Sequence, residues 1–185
     1  MRHPHWGLLL MMAALSTAHA APGDTPRETV DAFLQLYLSK LSGSFPDATG
    51  REALRPLVTP RFARLLEGAA NGIDCQQKAT GGNEPPPSQG DIFVSSFEGA
   101  TSADGVTQTR ISSTRATFTI HWRYTDNAPG REPQEPVKWS DRLLLMKLNG
   151  RWLIDDFAHD GNWDFMIKGT TASHLKWVAT FCKRS

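Results

Sequence analysis

Beyond residue 20 the chain has no apolar run long enough to cross a bilayer core of about 30 Å. It also lacks a G-x-S-x-G elbow, a phosphate-binding P-loop, a Rossmann glycine pattern and an H-E-x-x-H pair. Hydrolase, nucleotide-binding and metalloprotease readings lose their usual support with them. No sign of charge dominates, since 20 Lys and Arg stand against 19 Asp and Glu. That balance leaves no electrostatic footprint for nucleic acid or an anionic membrane. Cysteine is scarce: Cys75 and Cys182 are the only two, and neither lies in a C-x-x-C or beside a His. A catalytic thiol and a zinc site are both disfavoured by that placement.

The first twenty residues read as an export address. Arg2 gives a positive start, Trp6 to Leu15 a short apolar core, and Ala18-His19-Ala20 a small-x-small cleavage signature, so a signal peptide cleaved after Ala20 is expected. No Cys adjoins the cut, which argues against a lipid anchor. The expected destination is a bacterial periplasm, with residues 21–185 forming a single α+β domain. Two cysteines in an oxidising compartment favour a Cys75–Cys182 disulfide, with two buried thiols as the alternative. Closing a loop of roughly a hundred residues stabilises by up to about 5 kcal/mol in the chain-entropy model.

The chain is organised around a hairpin. Asn149-Gly150 separates SDRLLLMKL from RWLIDDF, and an Asn-Gly pair between apolar runs marks a turn whose two residues need positive φ. The register this implies sets Leu148 against Arg151, Met146 against Leu153, Leu144 against Asp155 and Arg142 against Phe157 on one face. Lys147 with Trp152, Leu145 with Ile154 and Leu143 with Asp156 share the other. Both faces are largely apolar, so helices should cover one, and a terminal segment, a ligand or a second subunit the other. A homodimer through the sheet face follows as one expectation.

Upstream, Thr25-Pro26-Arg27-Glu28 is a capping box with proline at the first helical position, followed by a stripe of Val30, Phe33, Leu34, Tyr37, Leu38 and Leu41. A short helix is expected over Glu52 to Val58. A third begins at Thr59-Pro60 and ends near Gly68 to Gly72, and Asn71 to Gly90 then reads as a long loop tethered by Cys75. The β half is expected as a strand at Ile92 to Ala100, a turn at Asp104-Gly105, an alternating strand at Arg115 to Tyr124 and a strand at Trp139 to Leu148. A last helix at Ser173 to Cys182 closes the chain.

Several of these segments together resemble the bacterial domain-of-unknown-function family 3828, within the nuclear transport factor 2-like cone superfamily, found in exported proteins and lipoproteins. They are the first helix around Val30 to Leu38, Leu57-Val58-Thr59-Pro60-Arg61-Phe62, Asp91-Ile92-Phe93, Trp152-Leu153-Ile154-Asp155-Asp156, and a closing helix after Lys168-Gly169. The resemblance implies a curved antiparallel sheet of about four strands packed against N-terminal helices. It brings no activity and no catalytic set.

Two groups of residues could carry function. Asp141 and Asp156 could form a carboxylate pair in the mouth of the cone, with His121 as general base, as in a small isomerase or dehydratase. Against this, Asp155 and Asp156 can serve as strand-end ion pairs and caps, with Arg142 as the partner of Asp155. The second group, Trp163, Trp177, His121 and Arg123, suits contact with a partner. The stretch DDFAHDGNWD has neither EF-hand nor zinc spacing, so no metal or cofactor is implied. The reading these features favour is a non-enzymatic binding module for an envelope protein or small ligand, an immunity or inhibitor protein being one version.

Overall fold

Asn149 and Gly150 take φ of 50° and 83°, the left-handed pair that a two-residue hairpin needs. In the computed structural model, which describes residues 23–126, 129–130, 132, 134–162 and 169–183, this turn joins the last two strands of a four-stranded antiparallel sheet. The strands are β1 (Ser102–Ile111), β2 (Arg115–Tyr124), β3 (Val137–Leu148) and β4 (Arg151–Ala158), and they neighbour one another in chain order. The expected signal peptide and Trp163 lie outside the described residues.

The register near the turn is the expected one, from Leu148 opposite Arg151 to Leu145 opposite Ile154. Beyond it the pairing slips: Leu144 faces Asp156, Leu143 faces Phe157 and Arg142 faces Ala158. Asp155 is the extra residue of a β-bulge. It is drawn outward by the start of the third helix, where Thr59 Oγ1 donates to its Oδ1 at 2.9 Å and Arg61 Nη2 to its backbone oxygen at 2.5 Å. The slip moves Phe157 from the row of Arg142 to that of Leu143, and Phe157 is buried against Phe33, Phe62 and Phe93 at ring separations of 5.0–5.6 Å. Burying a Phe side chain stabilises by roughly 1.5–3 kcal/mol, more than an exposed register preference can oppose.

Among the described residues there are four α-helices, of which the first, third and fourth pack against the curved, open sheet. α1 (Pro26–Leu36) begins with the expected capping box on Thr25 and Glu28 and runs into a π-helical turn, Tyr37–Leu41. Val30, Phe33, Tyr37 and Leu41 are buried, whereas Leu38 turns outward. α2 is Ala48–Leu54, four residues earlier than expected, because the Asp47 carboxylate caps the Gly50 N–H at 2.7 Å. Val58, expected to be helical, instead bridges Ile154 in parallel fashion.

α3 (Pro60–Thr80) is the largest departure, since it continues through the expected stop and ends at Gly81 with φ 60°. Gly72 is there for close packing. A Cβ at that position would lie 2.2 Å from the carbonyl oxygen of Val178 in α4 (Thr171–Val178). Cys75 is therefore on a helix, and its disulfide to Cys182, with Cα atoms 5.1 Å apart, pins α3 to the last turn, Ala179–Lys183.

The expected strand at 92–100 is absent. Residues 91–99 are an irregular segment, buried except at Phe97 and Glu98, and Asp104-Gly105, expected as a turn, lies inside β1 at a register shift. Segment 91–99 has no neighbouring strand, so its N–H groups need other acceptors. The outer sheet face presents half-buried Leu144, Met146, Leu148 and Leu153 beside Thr117 and Thr119. Among the described residues no helix is long and apolar enough to cross a membrane.

Candidate functional site

Asp91 supplies the acceptors that segment 91–99 would otherwise lack. Its Oδ1 accepts the N–H groups of Phe93 at 2.7 Å and Val94 at 3.1 Å. Its Oδ2 accepts the Tyr37 hydroxyl and the Gly43 N–H, both at 2.7 Å. The Tyr37 oxygen then accepts the Ala100 N–H at 2.9 Å. Burial pushes the Asp91 carboxyl up, to about 6, against these donors, which favour its ionised form. Burial and the Asp91 charge hold the Tyr37 phenol well above its usual range. Gly99, at φ 84°, completes the knot, because a Cβ there would meet Ser42 Oγ at 2.4 Å and Gly43 N at 2.5 Å.

The knot fastens two loops together, and each contributes an aromatic ring, Phe45 from one and Phe97 from the other. Phe97 is 47% exposed, yet it is held at its backbone, where its carbonyl accepts the Asp91 N–H at 3.0 Å. Its ring rests on Gly90, where a Cβ would come within 2.6 Å of it. Facing these rings is one side of α3, carrying Ala70, Ile73, Asp74 and Gln77 at helical spacing. Pro86 and Gln89 close the third side. The result is a groove of about 590 Å³, within the roughly 300–1,000 Å³ range of small-molecule sites.

The groove has an apolar wall and a polar rim. Arg51 lines it, but its guanidinium already donates to Glu67 at 3.1 Å and to the Pro46 carbonyl at 3.0 Å. Asp47 also lines it, with Oδ1 engaged as the α2 cap. The Asp74 carboxylate makes no hydrogen bond or ion pair among the described residues. The opposite side of α3 is anchored through Cys75, so the wall that carries Ile73 and Asp74 has a fixed backing.

The carboxylates singled out in the sequence are occupied elsewhere. Asp141 is buried and accepts four bonds, from the Ser95 N–H at 2.8 Å, Trp139 Nε1 at 2.9 Å, the Asp160 N–H at 2.9 Å and the Ser95 hydroxyl. Asp156 accepts the N–H groups of Phe157 and Ala172, both at 2.9 Å, and so docks the first turn of α4. The bulge registers Asp156 against Leu144, outside the row of Asp141 and Leu143. His121 is on the other face from Asp141, exposed, with Nδ1 2.8 Å from Ser140 Oγ. The trio of Asp141, Asp156 and His121 is therefore not assembled. Arg142 pairs with Asp160 at 2.6 Å, and not with Asp155, which binds Arg61 at 3.0 Å.

Of the expected contact residues, Arg123 is clamped by Asp104, at 2.9 and 2.8 Å. Trp177 is 47% exposed and stacks at a tilt on His174, 5.6 Å away.

His159 is one of three imidazoles beyond the first twenty residues, with His121 and His174. Thr171 Oγ1 gives its one hydrogen to the Ile92 carbonyl at 2.7 Å, so it accepts from His159 Nε2–H at 3.0 Å. Nδ1 then carries a lone pair, buried and without a partner among the described residues. Burial holds His159 below its usual range, opposed by Asp141, Asp156 and Asp160. His174, whose Nε2 lies 3.0 Å from Ser88 Oγ, is lowered by burial and then by His159. Only a burial pattern for DDFAHD could have found this pair from sequence, and strand alternation gives none past the bulge. Among the described residues no group of three or more His, Cys, Asp or Glu is placed to hold a metal.

No protein-family model matches the chain, and no curated protein matches it.

Proposed function

We propose that the protein is an exported, non-enzymatic binding module whose ligand occupies the groove between α3, Phe45 and Phe97. One observation carries this reading: an exposed aromatic ring, Phe97, is held by a buried network at the edge of a groove large enough for a small molecule. Immobilising a large apolar side chain beside water has a cost that a ligand recovers on binding. The signal-like first twenty residues and the disulfide support export to a periplasm. The resemblance to exported cone domains of unknown role agrees with a binding task and adds no reaction.

Amide NMR shifts on adding a mixture of small apolar fragments test the reading. Shifts confined to the backbone of 45–47, 70–77, 86–90 and 97 are expected. Shifts that gather instead on 140–144 and 156–160 would overturn it.

A second reading, a small proton-transfer enzyme, draws on the bare Nδ1 of His159 near three carboxylates. In that case shifts and inhibition would both centre on His159.

A further inference from the structure

The rim of the groove is short of positive charge. Among the described residues its one guanidinium, on Arg51, is paired with Glu67 and tied to the Pro46 carbonyl. Two carboxylates remain, Asp47 with one oxygen engaged and Asp74 with none. Beside them stand two phenyl rings, one of them nearly half exposed. An aromatic face attracts a cation through its quadrupole, and a nearby carboxylate adds a direct charge. The same pairing repels an anion, and it gains little from a neutral apolar molecule beyond area.

Resting on the groove reading above, we infer that the ligand is a small organic ammonium ion: an apolar body seated against Phe45, Ile73 and Phe97, with its cationic head at Asp74. The volume of the groove suits one molecule of drug-like size. Gln77 and Gln89 at the rim offer amide oxygens to N–H groups of a primary or secondary amine. Asp74 sits on α3 one residue before Cys75, so the disulfide fixes the backbone from which the carboxylate projects.

The test uses the disulfide-bonded protein and three probes of similar size, phenethyltrimethylammonium, 2-phenylethanol and 3-phenylpropionate, in calorimetric or NMR titrations at low salt. The ammonium ion should bind about tenfold more tightly than the alcohol, and the propionate least. Asp74→Asn should bring the ammonium ion to within about twofold of the alcohol, while Phe97→Ala should weaken both. Each side chain is exposed, so neither variant endangers folding. Equal binding of ammonium ion and alcohol to the native protein would overturn the charge assignment and leave the groove reading standing. Absence of binding by all three would overturn both. A preference for the ammonium ion that survives Asp74→Asn would overturn the assignment of the head group to Asp74.

Discussion

The Tyr37 hydroxyl lies 2.7 Å from Asp91 Oδ2 and accepts the Ala100 N–H at 2.9 Å, so one phenol joins the π-helical turn after α1 to both ends of the 91–100 arm. Tyr37→Phe keeps the ring, which packs 5.7 Å from Phe33 and 5.2 Å from Trp122, and removes only that link. The buried acceptor and donor left behind should cost about 1–3 kcal/mol. Amide exchange at Phe93, Val94 and Ala100 should quicken. Unchanged exchange at those three amides would show that the arm does not depend on the phenol.

Asp91 makes stability depend on pH in an unusual direction. Its folded pKa, about 6, exceeds the ordinary 3.8, so between these values the folded state binds the proton more tightly than the unfolded one. Its contribution is fully present below pH 3.8 and lost as pH rises through about 6. Relative to Asp91→Asn, the native protein should therefore lose up to ~3 kcal/mol on going from acid to neutral pH. Denaturant melts of both proteins from pH 4 to 7 measure this, and a difference constant with pH would refute it.

His159 and His174 act the other way. Both folded pKa values lie below the ordinary 6.5, so the unfolded state takes up protons first as pH falls. Their contribution is complete above pH 6.5 and declines below it as the unfolded histidines charge. His159→Gln should flatten the acid limb of the stability curve. The carboxamide nitrogen can still donate to Thr171, so stability at pH 8 should change less than at pH 5.5. A slope identical in variant and native protein would remove His159 from the account.

Two glycines of α3 should answer alanine in opposite senses. At Gly68 a new Cβ would sit 3.6 Å from the Ala179 Cβ, an ordinary contact. Helix propensity should then raise stability by up to about 1 kcal/mol. At Gly72 the Cβ would meet a backbone carbonyl at 2.2 Å, and α4 would have to shift. A loss of about 1–3 kcal/mol is expected there. Thermal melts that rank the two variants in the reverse order would contradict the packing of α4 on α3.

Reducing the disulfide, which spans 107 residues, should cost about 2–5 kcal/mol. The loss should appear as a lower denaturant midpoint in the presence of a thiol reductant, and a Cys75→Ala, Cys182→Ala double variant should reproduce it. A reduced protein as stable as the oxidised one would mean that α4 docks without the tether.

The parts legible in the sequence were those set by local chemistry. Thr25 with Glu28 started a helix, Asn149-Gly150 made the turn, and the alternation of Ala116, Phe118, Ile120 and Trp122 gave a strand whose buried row is the observed one. What was not legible depends on partners distant in the chain. Gly68 and Gly72 read as helix stops until Ala179 is seen against the first and Val178 against the second. The 92–100 run reads as a strand until Asp91 is seen collecting the N–H groups of Phe93 and Val94, and Asp141 that of Ser95. The bulge at Asp155 follows from Arg61, 94 residues away. The groove was hidden for the same reason, since Phe45, Ile73 and Phe97 belong to three segments with no common spacing. Asp74 is an exposed helical carboxylate, ordinary in the sequence until aromatic rings stand beside it.

The rim of β4 is already occupied: Gly23 takes the N–H of Trp152, while Leu57 and Thr59 bracket Ile154, each at 2.8 Å. A further polypeptide seeking to extend the ladder there would find its docking groups consumed. At the far margin, β1 is interrupted by two register shifts and displays Thr107, Thr109 and Arg110. Neither border presents the flat, greasy template from which fibrils grow.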